Sequence, residues 1–272
     1  MRFELDGDEK DFASALDSLL VNADTVAVAR AWAEGDHEPG LKLWGRLAEM
    51  GVTSLADEPV FLALAFERLG FHAVPGPYVE SIAYLARDEG IATVAVPPHV
   101  PYALDADVTD VPHGPMRVSV DRTRRLFEVE APDPIDEAAF DRAVLAVSAQ
   151  LLGAGERVLA DSVTYVKQRK QFGREIGSYQ AIKHALADVR IALDFARPLV
   201  YGAALGEVPV SAAKVATGDA AYLASRTGLQ VHGAIGYTQE FDLSVWITKI
   251  RALLTAWGTP AFHRQRVLEG LV

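Results

Sequence analysis

The stretch Arg169-Lys170-Gln171-Phe172-Gly173, followed by Gln180-Ala181-Ile182-Lys183-His184 and Leu186-Ala187-Asp188, joins the end of one long helical pattern to the start of another. Upstream, Phe140, Val144, Val147, Leu151, Val158, Val163 and Val166 recur at helical spacing, and Gly153, Ala154 and Gly155 leave room for a neighbouring helix. Downstream, Ile182, Leu186, Val189, Leu193, Ala196 and Val200 form a second stripe. Pro198 falls inside it and is expected to kink or end that helix, because proline removes a backbone donor. A third helix is expected from a Ser211 cap past Tyr222 to about Gly233, and a fourth from Leu243 to Ala256, broken by Gly258-Thr259-Pro260 before a short terminal helix. Residues 134–272 therefore read as a four-helix bundle.

Before the bundle the pattern changes twice. Residues 1–89 read as a helical lobe: Phe12, Leu16, Leu19 and Leu20 keep helical spacing, Leu41 to Met50 stops at Gly51, and Pro59 opens a helix that runs to Gly70. Pro75-Gly76-Pro77 then turns the chain into a short helix from Tyr78 to Leu85. Residues 90–133 are a small β insert, with short valine-containing runs between prolines. Met116 to Val120 and Leu126 to Glu130 alternate, and are expected to pair across Asp121 to Arg125.

Composition narrows the function. With 272 residues, 50% of them hydrophobic, the chain can bury a large core, and a net charge of −11 gives no basic footprint for nucleic acid. It contains no cysteine, which removes disulfides, thiolate metal sites and cysteine nucleophiles. Its seven histidines are scattered without the spacing of a metal site, so no metal is expected. The start is acidic, with Glu4, Asp6, Asp8 and Glu9, unlike a secretory leader, and no apolar run suggests a membrane span. A cytoplasmic protein is expected.

Two clusters carry candidate chemistry. Arg169 offers forked donors suited to a pyrophosphate, Gln171 a neutral hydrogen bond, and Phe172 a face for a flat heterocycle. The alternative is an arginine answering a helix C-terminus, with Phe172 in the core. In Gln230-Val231-His232-Gly233-Ala234-Ile235-Gly236-Tyr237-Thr238, glycines at a helix end let backbone amides approach a ligand and Gln230 can meet a polar ring edge. The alternative there is a helix cap and loop, with His232 on the surface or at an interface.

Together, in this order on this helical frame, the clusters resemble two signatures of the acyl-CoA dehydrogenases. Trp44 to Gly51 in the first lobe resembles a third family feature. The resemblance implies a mainly α fold, with an N-terminal helical domain, a middle β-domain, here truncated, and a C-terminal four-helix bundle. It also implies FAD, an acyl-CoA substrate, and a subunit interface across which Arg169, Gln171, Phe172, Gln230 and Gly233 reach a partner's FAD. Ala234 stands where a glycine is usual.

Two departures separate the chain from a self-sufficient member. The family's catalytic glutamate directly precedes a Gly-Thr pair; Trp257 stands there, and indole accepts no proton at neutral pH. The alternative base position, on the helix that opens the bundle, corresponds to the apolar Ala143-Val144-Leu145-Ala146. The β insert is also too short to hold a flavin ring alone. The resemblance thus implies a base-less partner of a catalytic subunit, in an α2β2 heterotetramer of the actinobacterial kind that desaturates steroid-derived CoA thioesters. The rivals are a homomeric dehydrogenase with an unrecognised base and a non-enzymatic helical scaffold. Glu240 and Asp242 are expected to be solvated or to cap a helix, Arg122, Arg124 and Arg125 to be a solvated hairpin tip, and His184 to be packed or exposed.

Overall fold

In a computed structural model, residues 5–271 are described; Glu4, of the acidic start, lies outside them. The first lobe holds α1 (Gly7–Val21), α2 (Thr25–Ala33), α3 (Glu38–Glu49) and α4 (Pro59–Phe71), followed by a π-helical turn, Val79–Tyr84. Asp6 and Glu9 cap α1 reciprocally, at 2.9 and 2.8 Å, and Gly51 takes φ 86° just beyond α3, where a side chain would be strained. The sequence pattern marks no individual helix at α2 within the helical lobe. It is fixed instead from outside, because the buried Trp32 donates Nε1–H to Asp105 at 3.1 Å.

The insert contains three two-residue strands in the antiparallel order β1–β3–β2: β1 (Ala103–Leu104), β2 (Met116–Arg117) and β3 (Leu126–Phe127). The expected pairing is present, with Met116 opposite Phe127 and Arg117 opposite Leu126. It is shorter than the alternation suggests. Beyond Arg117 the chain leaves the ladder, and Val118 and Val120 are exposed.

The second half is built on α5 (Glu137–Gln168), a 32-residue helix surrounded by α4, α6 (Gln180–Ala204), α7 (Val210–His232) and α8 (Leu243–Leu253). A short α9 (Pro260–Glu269), capped by Thr259, closes it. α5 is long and apolar enough to cross a membrane, but its apolar window is 83% buried against these neighbours. Glycine sets how closely they approach. A Cβ on Gly153 would lie 1.9 Å from the Glu67 carbonyl oxygen on α4, and one on Gly70 would lie 2.2 Å from the Gln150 carbonyl oxygen on α5. Pro198 does not end α6, which runs through it to Ala204. Ser211 is not a cap: α7 begins at Val210, and the Ser211 hydroxyl instead meets His263 Nδ1 at 3.0 Å inside the fold. The fourth helix stops at Leu253, three residues earlier than its apolar pattern.

Candidate functional site

At the end of α5 the chain forms a tight hairpin between β4 (Lys170–Gln171) and β5 (Arg174–Glu175). Its two turn residues, Phe172 and Gly173, have φ 52° and 79°, the left-handed pair that a two-residue hairpin requires. That geometry lifts Phe172 off the surface, so it is 93% exposed and is not a core residue. Arg169 and Gln171 are also exposed, and neither side chain has a hydrogen-bond or ion-pair partner among the described residues. The Gln171 carbonyl accepts from the Tyr179 hydroxyl at 3.2 Å, which ties the hairpin to the start of α6.

The second cluster lies beside the first. His232, at the end of α7, stacks on Tyr165 near the end of α5, with ring centroids 4.2 Å apart. The C-termini of α5 and α7 and the N-terminus of α6 therefore share one end of the bundle. His232 is buried rather than on the surface: Nδ1–H donates to the Gly228 carbonyl at 2.8 Å, and burial holds the ring below its ordinary pKa and neutral. Gln230 and Gly233 are exposed, and Gly233, at φ 63°, has open space where a Cβ would be. This end offers a guanidinium, a carboxamide, an aromatic face and unhindered backbone, all outward.

The base position is the opposite case. Trp257 is fully buried, against Tyr84 at 5.0 Å and Phe140 at 5.8 Å, and its carbonyl accepts from His263 Nε2 at 2.8 Å. Its indole N–H points to Glu80 Oε1 at 3.4 Å. Glu80, which is 1% exposed, is the chemically relevant residue that the sequence does not flag. The only signal is one acid within the mostly apolar run Tyr78 to Leu85. Burial raises its pKa, partly opposed by the charge of Arg124. Val144, in the alternative base position, is fully buried and apolar.

The expected solvated tip at Asp121 to Arg125 is instead held against the bundle. Asp121 and Thr123 are buried, Lys249 of α8 reaches Asp121 Oδ2 at 3.3 Å and Thr123 Oγ1 at 2.9 Å, Arg122 pairs with Glu34, and Arg125 pairs with Asp107. A lysine on α8 with a complementary carboxylate fixes the tip, where solvation would have left it free. Asp242 stands at the N-cap position of α8, but its side chain makes no cap bond; it pairs with Arg30 at 2.8 Å, and Arg30 also reaches the Glu240 carbonyl. His184 is exposed.

A helical lobe, a small sheet and a helical bundle that presents outward donors from the ends of α5 and α7 define a mainly α, three-part class of protein. Residues 135–272 match the family model described as "Acyl-CoA dehydrogenase, C-terminal domain". The chain belongs to the acyl-CoA dehydrogenase family. It is 29% identical over 231 residues to the acyl-CoA dehydrogenase IpdE2 of Mycobacterium tuberculosis, covering 75% of this chain and 72% of that one. Among solved structures it resembles butyryl-CoA dehydrogenase from Megasphaera elsdenii, with a TM-score of 0.84 at 18% identity over 100% of both chains. It also resembles a chain of the ChsE4-ChsE5 complex from Mycobacterium tuberculosis, with a TM-score of 0.76 at 19% identity over 100% of this chain and 99% of that one. These two likenesses concern the fold.

Proposed function

We propose that this chain is the non-catalytic partner subunit of a heteromeric, FAD-dependent acyl-CoA dehydrogenase. The observation that carries this reading is the contrast between the two ends of the site. Cofactor-type side chains face outward, where none of the described residues pairs with them, and the position of the base is a buried tryptophan. The ChsE4-ChsE5 complex is a two-component example on the same fold and supports a partner of the same family.

FAD fits only part of this chain. Beside Trp257 the cavity is about 280 Å³, below the ~300–1,000 Å³ of ordinary ligand pockets, and the hairpin is held to α8 by Lys249. This supports a flavin housed mainly in the partner. At the outward end, Arg169 would pair with pyrophosphate oxygens, Phe172 would lie on a flat ring, Gln171 and Gln230 would hydrogen-bond polar edges, and Gly233 would admit backbone contact. When bound, FAD supplies the hydride acceptor for Cα–Cβ desaturation of an acyl-CoA. This chain orients the cofactor from across the interface and moves no proton, since neither Trp257 nor Val144 can accept one. The family resemblance adds a finer expectation for the substrate, a CoA thioester derived from a steroid, and for the assembly, α2β2.

Co-purification with the product of a neighbouring dehydrogenase gene, followed by measurement of FAD per complex, tests the division of labour. One FAD per pair of unlike subunits is expected. One FAD per chain, or an isolated chain that is yellow and reduces a dye with acyl-CoA, would overturn it.

A further inference from the structure

The hairpin that carries Gln171 and Phe172 next to Arg169 has little of its own to hold it. β4 and β5 pair only Lys170 with Glu175 and Gln171 with Arg174, and all four residues are exposed. A lone two-stranded hairpin is marginal in water. Its base is fixed to the bundle: the Arg169 N–H donates to the Tyr165 carbonyl at 2.9 Å, and the Ile176 N–H closes back on the Arg169 carbonyl at 2.8 Å. The Ser178 hydroxyl donates to the Glu175 carbonyl at 2.6 Å, also on the base side. Nearer the tip, Tyr179 grips both strands. Its hydroxyl donates to the Gln171 carbonyl of β4 at 3.2 Å, and the Arg174 guanidinium of β5 lies over its ring, 4.0 Å from the centroid. The backbone of Tyr179 is in turn built into the start of α6, where its carbonyl accepts from the Ile182 and Lys183 N–H groups, each at 3.1 Å.

Three side chains can grip a cofactor together only if the tip that carries two of them is held in place beforehand, because ordering a loose segment on binding costs affinity. Given the subunit role proposed above, on which this rests, the geometry points to Tyr179 as the positioning residue of the grip. It transfers the rigidity of α6 to both strands of the hairpin and so keeps Gln171 and Phe172 in register with Arg169, facing a partner's FAD. Its hydroxyl and ring are already engaged within the chain, so it acts on a cofactor through the residues it holds. A tyrosine that only packs at a helix start would instead affect the stability of the bundle, and its loss would add to that of any other residue.

The test is the FAD affinity of the assembled complex, read by flavin fluorescence on reconstitution, with hydrogen exchange on the flavin-free complex as a second readout. Tyr179→Ala should weaken FAD about tenfold, and Tyr179→Phe, which keeps the ring against Arg174, about threefold. Added to the pair Gln171→Ala and Phe172→Ala, Tyr179→Ala should weaken FAD by less than about twofold more, because the side chains it positions are gone. The amides of residues 171–176 should exchange about tenfold faster in Tyr179→Ala, with those of Val189 and Leu193 in α6 unchanged. Parental FAD affinity in Tyr179→Ala, with Arg169→Ala losing the cofactor, would overturn the proposal and leave the subunit role standing. An undiminished tenfold loss in the triple variant, or unchanged exchange across residues 171–176, would also overturn it. Where Tyr179→Ala does not assemble, Tyr179→Phe decides, and parental affinity together with parental exchange in that variant counts against the proposal. Parental FAD affinity in Arg169→Ala would overturn the subunit role itself, and the positioning role with it.

Discussion

Lys214 provides the sharpest physical test of the interior. It lies on α7, 3% exposed, and its ammonium donates to the Leu253 carbonyl at the end of α8. Burial, reinforced by the charge of Arg124, lowers its pKa from 10.5 to about 7. His263, which also feels Lys214, is itself held down to about 4 by burial and stays neutral above that. Between pH 7 and 10.5 the unfolded chain keeps the lysine proton that the folded chain has lost, so stability rises with pH across that window. At 1.36 kcal/mol per pKa unit, ionisation costs the fold roughly 4 kcal/mol at pH 7, and roughly 2 kcal/mol of that is relieved by pH 9. Lys214→Met removes the cation and leaves the Leu253 carbonyl unmet, which costs ~1–3 kcal/mol. The variant is therefore expected to be about 2 kcal/mol more stable than the parent at pH 7, with a gap that closes near pH 9. Urea unfolding of both proteins from pH 6.5 to 9.5 measures this, and the difference between the curves isolates Lys214 from other titrating groups. Parallel stability profiles would refute the assignment of a neutralised lysine.

Gly153→Ala is expected to destabilise the chain by about 3 kcal/mol in urea melts, because the new methyl would lie 1.9 Å from the Glu67 carbonyl oxygen and force α4 and α5 apart. Arg169→Ala should leave thermal stability within ~0.5 kcal/mol, since the side chain has no partner among the described residues, but FAD retained by the assembled complex should fall at least tenfold; unchanged FAD would favour a scaffold without a cofactor role. Trp257→Glu restores a carboxylate to the base position only in name. Set beside Glu80, the two acids would share a buried site and one would stay protonated, so the isolated variant should remain inactive with acyl-CoA and melt lower than the parent.

What the sequence conveyed well was local and periodic. The stripes of α5 and α6 fix two helices and the corner between them, and Gly153 announces a close helix crossing because only the absence of a side chain permits it. Features set by residues far apart in the chain were not legible. Glu80 meets Trp257 across 177 positions and Lys249 meets Thr123 across 126, and neither contact leaves a local pattern. The alternation of Met116 to Val120 overstates strand length for a related reason. Val118 and Val120 are apolar because they rim a cavity, not because they face a sheet core. Ser211 has the composition of a cap, yet a histidine 52 residues away claims its hydroxyl.

Among the described residues, two aromatic ones adopt left-handed backbone, Phe172 at φ 52° and Trp257 at φ 56°. That conformation costs roughly 1–2 kcal/mol for a residue with a Cβ. For Trp257 the compensation is internal: the ring is fully buried, stands against Tyr84 and Phe140, and its carbonyl holds His263. Phe172 has no such packing: its ring is 93% exposed, near Arg169 and Gln171, whose side chains have no partner among the described residues. A glycine at position 172 would satisfy the same hairpin turn without strain and without presenting an aromatic face to water. On the proposed function, the interactions that offset Phe172 come from a partner surface that covers the ring and meets Arg169 and Gln171 at the same time. A flat, anionic cofactor carried at a partner's interface meets all three requirements together, whereas a purely apolar partner surface would leave the guanidinium and the carboxamide unmatched.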